Sequence, residues 1–236
     1  MSSPPNILSF ECASGGCSAA IIKGGEIAAE QQIEVKNAQT RQLLPLLQGL
    51  CSVSSLAVSD LDAIATTSGP GSFTGIRIGL STALGIAYAA NKPLYTISNL
   101  ELLAFQHWES SPQDGRPILS LINAYRKQVY LQQFSTVEGF HPLSAAKIID
   151  QQDLRNHLPD TAYSLAGDGY DIVKNSDPSA PTPQVCAIQP SAAALARYVT
   201  QFPRPATALH EIAPFYLRNA DAKKQNPIEK LKNARL

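Results

Sequence analysis

At 236 residues, with 19 Lys and Arg against 19 Asp and Glu, the chain is long enough for one large domain or two small lobes. It carries no net charge, which excludes the global electrostatic grip of a basic nucleic-acid-binding domain. Cys12, Cys17, Cys51 and Cys186 form no CxxC pair and no zinc spacing, so they read as reduced thiols. The opening MSSPPNILSF lacks a basic segment followed by a long apolar core, so it is not read as a signal peptide. No transmembrane run is read either. The expectation is a soluble, cytoplasmic protein.

Residues 6–10 read as a short apolar strand that enters the small-residue turn ECASGGCS. Residues 19–23 form a second strand, Gly24-Gly25 a hairpin turn, and 26–34 the returning third strand. In the stretch 37–50, Leu43, Leu46, Leu47 and Leu50 recur at helical spacing. Pro45 lies inside that pattern and is expected to kink the helix or to mark a second start. Burial of one leucine is worth roughly 1.5–3 kcal/mol, so this stripe needs cover, on the helix that begins near Ile76, on a partner, or on both. A strand follows at 63–68.

Residues 69–90, GPGSFTGIRIGLSTALGIAYAA, organise the chain. From 76 to 90 the only charge is Arg77, and a helix apolar nearly all round is normally buried on more than one side. At about 22 Å it is too short for a bilayer, which needs roughly 20 apolar residues. One side is expected on the sheet of its own domain and the other against a partner protein. Gly79, Ala83 and Ala87 share a face and leave room for a second helix; an ordinary core helix is the plainer alternative. Residues 92–97 form another strand, and strand–helix–strand implies a right-handed crossover with a parallel pair. Ser98 and Glu101 fit a capping box for a helix to about Trp108. ESSPQDGRP, 109–117, reads as a linker.

In the second half, 118–123 and 128–134 read as strands, and Asp150 as the cap of a short helix ending near His157. A strand at 163–166 runs into GDGYD, which opens a further short helix. Residues 177–183 form a proline-rich loop and 191–202 an alanine-rich helix. The stretch 221–236 reads as a mobile basic tail.

No catalytic constellation emerges. The turn at 69–75 is no Walker A motif, since no Lys-Ser or Lys-Thr follows its last glycine. Nor is it a nucleophile elbow, because Ser72 is flanked at two residues by Pro70 and Thr74. Gly167-Asp168-Gly169 reads equally as a nucleotide contact and as a turn needing positive φ. His107, His141, His157 and His210 are scattered, which argues against a histidine metal site. Glu11 sits where a nucleotide-linked metal could be approached through water, although a lone carboxylate at a turn is far more often a surface or capping group.

Taken together, NILSFECAS…CSAAI, the LLPLL helix, GPGSFTGIRIG, INAYRKQVY, AGDGYD and PFYLRN resemble the TsaB (YeaZ) family in order and over nearly the whole chain. The resemblance implies a two-lobed actin/sugar-kinase-like (ribonuclease H-like) α/β fold, each lobe a mixed sheet flanked by helices. The lobes would span 1–108 and 118–220. It also implies a non-catalytic subunit in threonylcarbamoyladenosine synthesis on tRNA, with no required cofactor or metal. Its partners would be a TsaD-type catalytic paralogue, a TsaE-type ATPase and, through the complex, tRNA. Without the paralogue, self-association is expected through the same surface. The interface would comprise Leu43, Leu46, Leu47, Leu50, Ile76, Gly79, Leu80, Ala83, Leu84 and Ala87, so Ala83→Glu should abolish pairing without unfolding. Weak nucleotide or anion contact is allowed for at Glu11, Gly167, Asp168 and Gly169. Against the family pattern, Asp-Thr-Ala is here Glu11-Cys12-Ala13, a usual His near Gln39 is absent, and Ile-Asp-Ala-Arg is Ile122-Asn123-Ala124-Tyr125. These departures weaken productive Mg-nucleotide binding. The rival readings are a kinase or ATPase of the same fold acting alone and, less strongly, a peptidase.

Overall fold

The computed structural model describes residues 4–34, 39–111, 115–178, 183–185 and 189–217. The expected basic tail, residues 112–114 of the expected linker and Cys186 lie outside the described residues.

Strands covered on both faces read as continuous apolar runs, and β1 (Ile7–Glu11) is buried throughout, as is β2 (Cys17–Lys23) up to its last residue. β3 (Glu26–Ile33) returns through Gly24 and Gly25, both at positive φ, and its alternating exposure marks an edge strand. Next come α1 (Gln39–Val53), β4 (Ala63–Gly69), α2 (Phe73–Ala90) and β5 (Leu94–Ser98). The sheet order is β3-β2-β1-β4-β5, with β1, β2 and β3 antiparallel in turn and β1, β4 and β5 parallel.

The second half repeats this plan. After α3 (Asn99–Ser110) come β6 (Ile118–Tyr125), β7 (Gln128–Ser135), β8 (His141–Pro142) and β9 (Lys147–Asp150). β10 (Ser164–Gly167), α4 (Tyr170–Ser176), β11 (Gln184–Val185) and α5 (Ala192–Gln201) complete it. The pairings give β9-β7-β6-β10-β11 with the same parallel and antiparallel pattern, and β8 adds to β7. Two mixed sheets of one topology form the two-lobed actin/sugar-kinase-like α/β fold.

The lobes share a middle layer. α3 packs mainly on β6 and α5 on β1 and β2, and one core joins Ile7, Ala65 and Ile97 to Ile118, Phe134 and Ala166. The division at 118 therefore misplaces α5, which belongs against the first sheet. Its small side chains allow that close approach: Ser9 Oγ donates to the Ala192 carbonyl at 2.7 Å, and Ser18 Oγ accepts from the Ala192 N–H at 3.1 Å. The chain then stays on the first lobe, where Thr207 N donates to Leu94 O at 2.9 Å and Phe215 N to Ser68 O at 2.8 Å.

Several local expectations shift. α1 continues through Pro45 to Val53, with the proline on its exposed side. Ser98 caps α3, accepting from Glu101 N at 3.0 Å, but the Glu101 carboxylate turns to Tyr198 and Arg204 rather than back to the cap. Asp150 occupies a cap position without bonding the turn, and its carboxylate accepts from Gln128 Nε2 at 3.0 Å. α2 begins at Phe73, three residues earlier than expected, because Ser72 Oγ accepts from Gly75 N at 3.2 Å. At 18 residues it is long and apolar enough to cross a bilayer by length and composition alone. Ile76, Leu80, Ala83 and Ala87 along its buried face make it a core helix.

Candidate functional site

Glu11 lies at the end of β1 with 2% of its surface exposed. Its Oε1 accepts from Ala13 N, from Asn99 Nδ2 at 3.0 Å and from Thr67 Oγ1 at 3.5 Å. Burial pushes its pKa up from 4.5 to about 7, and the bonds from Asn99, Ala13, Ser14 and Thr67 pull it partly back. The carboxyl joins β1, β4 and α3. Beside it a recess of about 220 Å³ is lined by Ser14, Gly15, Gly16, Cys17 and Gln32, with Gln189 from the far segment. Among the described residues, no cluster of three His, Cys, Asp or Glu side chains is placed to hold a metal.

The second candidate contact is a turn. Gly167 has φ +114°, and a Cβ there would stand 2.0 Å from the Leu121 carbonyl oxygen. Asp168 Oδ1 accepts from Asn123 N at 2.7 Å, tying the end of β10 to β6. The recess beside Glu11 is not lined by Gly167, Asp168 or Gly169. Gly167 is required by close backbone approach, and a Cβ on Gly169 would run into the Leu121 side chain.

The expected helix face needs correction. Leu43, Leu46, Leu47, Leu50, Ala83 and Ala87 are buried with Leu8, Phe10, Ile21 and Ile64 in the chain's own core. Ile76 and Leu80 pack with Ala13 and Ile212, and Gly79 faces Thr66 and Cys12. Of the ten residues only Leu84 is part-exposed. The stripe finds its cover internally because α1 and α2 lie side by side on one face of the first sheet, and the 209–212 segment closes over α2.

Among the described residues, the opposite face is left uncovered. Only six of the 18 residues of α2 are buried. Phe73, Arg77, Ser81, Gly85 and Tyr88 recur at helical spacing on its outer side, with Tyr88 79% exposed. α1 adds Leu44, 56% exposed, together with exposed Pro45 and Gly49. A Cβ on Gly49 or Gly85 would meet nothing within 4 Å, so neither glycine is needed for internal packing. At the start of α2, Phe73 stacks on Tyr216 at 5.4 Å, and the Arg77 guanidinium lies 3.7 Å over the Phe73 ring. Arg77 Nε donates to Tyr216 Oη at 2.9 Å. These outward residues were hidden in the sequence because the stronger leucine and alanine periodicity drew attention to the buried side.

The fold defines an actin/sugar-kinase-like protein whose first lobe presents the outer sides of two helices. Residues 27–151, just over half of the chain, match the family described as TsaD, tRNA N6-adenosine threonylcarbamoyltransferase. The chain belongs to that family, and its curated relatives include proteins named TsaB. It is 31% identical to the Escherichia coli (strain K12) tRNA threonylcarbamoyladenosine biosynthesis protein TsaB over 56% of each chain. It is 35% identical to a Sphingopyxis alaskensis tRNA N6-adenosine threonylcarbamoyltransferase over 41% of this chain and 26% of that one. YeaZ from Pseudomonas aeruginosa shares the fold, with a TM-score of 0.78 over 90% of this chain and all of that one at 23% identity. The chain spans about half the length of the first curated relatives it matches, 56% and 52%.

Proposed function

We propose that this protein is a non-catalytic subunit in the synthesis of threonylcarbamoyladenosine on tRNA. It docks through the outer faces of α1 and α2 on a TsaD-type catalytic paralogue in the cytoplasm. A TsaE-type ATPase joins the pair, tRNA is met through the complex, and the same face self-associates when the paralogue is missing. The observation that carries the reading is the uncovered pair of helices, whose surface glycines Gly49 and Gly85 have open space above them. A glycine in a helix interior costs about 1 kcal/mol relative to alanine. Close approach of a partner backbone would make use of the gap they leave.

The names of the relatives, TsaB proteins of tRNA threonylcarbamoyladenosine biosynthesis, supply the pathway. The non-catalytic part rests on Glu11, whose Oε1 is already taken by three internal donors, and on the structural use of the Gly167 turn. Both are used by the fold itself, and neither is assigned nucleotide chemistry or a cofactor. The test is threonylcarbamoyl transfer to tRNA by the cognate TsaD-type enzyme, TsaE-type ATPase and adenylate-forming enzyme. Transfer should require this chain. Unchanged transfer in its absence would refute the subunit role.

A further inference from the structure

Cys12 follows β1 and Cys17 opens β2. The register pairs Phe10 with Ala19 and Glu11 with Ser18, and one step further it sets Cys12 opposite Cys17. Both thiols belong to the core that holds Leu8, Phe10, Ala19 and Ile21, the side chains of one face of this hairpin. The two sulfurs therefore leave the sheet on the same side. Directly opposed residues of an antiparallel pair hold their Cβ atoms about 4.5–5.5 Å apart, within a small adjustment of the roughly 3.5–4.5 Å of a disulfide. Both are nearly fully buried, Cys17 at 2% and Cys12 at 1% exposed, and of the two Cys17 lines the recess beside Glu11.

We propose that Cys12 and Cys17 are a dithiol modification site, converted by hydrogen peroxide arriving through the recess into a cross-strand disulfide. The Cys17 thiolate attacks the peroxide: an S–O bond forms, the O–O bond breaks, and the departing hydroxide takes a proton to become water. The Cys12 sulfur then attacks the sulfenic sulfur, forming S–S and breaking S–O, with release of a second water. Two thiols are oxidised and one peroxide is reduced. The bond lies under the start of α2. Gly75 packs against the Cys12 carbonyl, and Ser72 N donates to Ala13 O at 2.8 Å, so the disulfide pins the turn on which that helix is seated. Burial, and then the Glu11 carboxylate, push both thiols up, so the pair is protonated at neutral pH and oxidises faster as pH rises. None of this depends on the tRNA reading.

The test treats the full native chain with hydrogen peroxide at about pH 8.5, where more thiolate is present. Remaining thiols are then alkylated and the chain is mapped by mass spectrometry. The expected product is an N-terminal peptide, carrying both cysteines, that lacks two hydrogens and escapes alkylation. Dithiothreitol should restore alkylation at both positions, while Cys51 and Cys186 stay alkylated throughout. The oxidised chain should melt several degrees higher than the reduced one. In Cys12→Ser the oxidised Cys17 should instead be trapped by dimedone as a sulfenic acid, with no rise in melting temperature. Independently of any variant, the reduced wild type should bind phenylarsine oxide, a bridging reagent for neighbouring thiols. Persistent alkylation of both cysteines, irreversible oxidation of Cys17 in the wild type, or failure to take the arsenical would overturn the proposal.

Discussion

Asn99 holds Glu11 through one end of its amide and β4 through the other. Its Nδ2 donates to Glu11 Oε1 at 3.0 Å, and its Oδ1 accepts from Gly69 N at 3.1 Å. One buried side chain thus fixes the ends of β1 and β4 to the first turn of α3, where the layer shared by the lobes begins. Asn99→Leu removes both bonds and leaves a buried N–H unsatisfied. It should cost about 2–4 kcal/mol, since each orphaned buried group costs about 1–3 kcal/mol. Urea unfolding, with the slope unchanged, is the measurement.

Glu11 makes stability depend on pH. Its folded-state pKa of about 7 lies above the ordinary 4.5, so the folded chain binds a proton that the unfolded chain releases. Its contribution is most favourable below pH 4.5, declines as pH rises, and is lost above about pH 7. The difference amounts to about 3 kcal/mol across that window. Glu11→Gln cannot ionise. The stability of the variant relative to wild type should therefore rise from pH 4.5 to 7 and then level off.

Ala83→Glu is a stability variant, not a probe of pairing. Ala83 is fully buried in the core shared by the helices and the first sheet, so a carboxylate there meets no water and no partner. A loss of at least about 3 kcal/mol is expected, read as a lowered urea midpoint or as insoluble protein.

Asp168 tests the second lobe. Its carboxylate accepts from Asn123 N at 2.7 Å in an exposed bond, so water can take the freed N–H and Asp168→Ala should cost only about 0.5–1.5 kcal/mol. Threonylcarbamoyl transfer by the assembled system should persist at temperatures where the variant is folded. A loss of transfer with stability unchanged would indicate a ligand role at Asp168.

Much of the architecture was legible because strands and helices here carry clean periodicities. Both Gly-Gly hairpin residues, the Ser98 cap and the β4–α2–β5 crossover follow from local chemistry. Sequence position could not show that α5 crosses back to the first sheet, since long-range fit rather than local propensity decides where an alanine-rich helix packs. The leucine stripe was correctly read as needing cover, but pattern alone cannot distinguish a partner from the chain's own sheet. The proposed docking surface therefore uses Leu44, Gly49, Gly85 and Tyr88 in place of the buried Leu43 and Ala83. For Glu11 the position was readable and the role was not: its three donors come from residues 2, 56 and 88 places along the chain.

Pairing of the chain with its TsaD-type paralogue tests the central claim, measured by titration calorimetry for wild type, Gly85→Glu and Tyr88→Glu. Both substitutions lie on the outer side of α2, where added atoms are accommodated without moving the core. Unfolding midpoints should therefore stay close to wild type. If the outer faces of α1 and α2 form the docking surface, affinity should fall at least about tenfold in each variant, about 1.4 kcal/mol or more. Wild-type affinity in both folded variants would contradict the account.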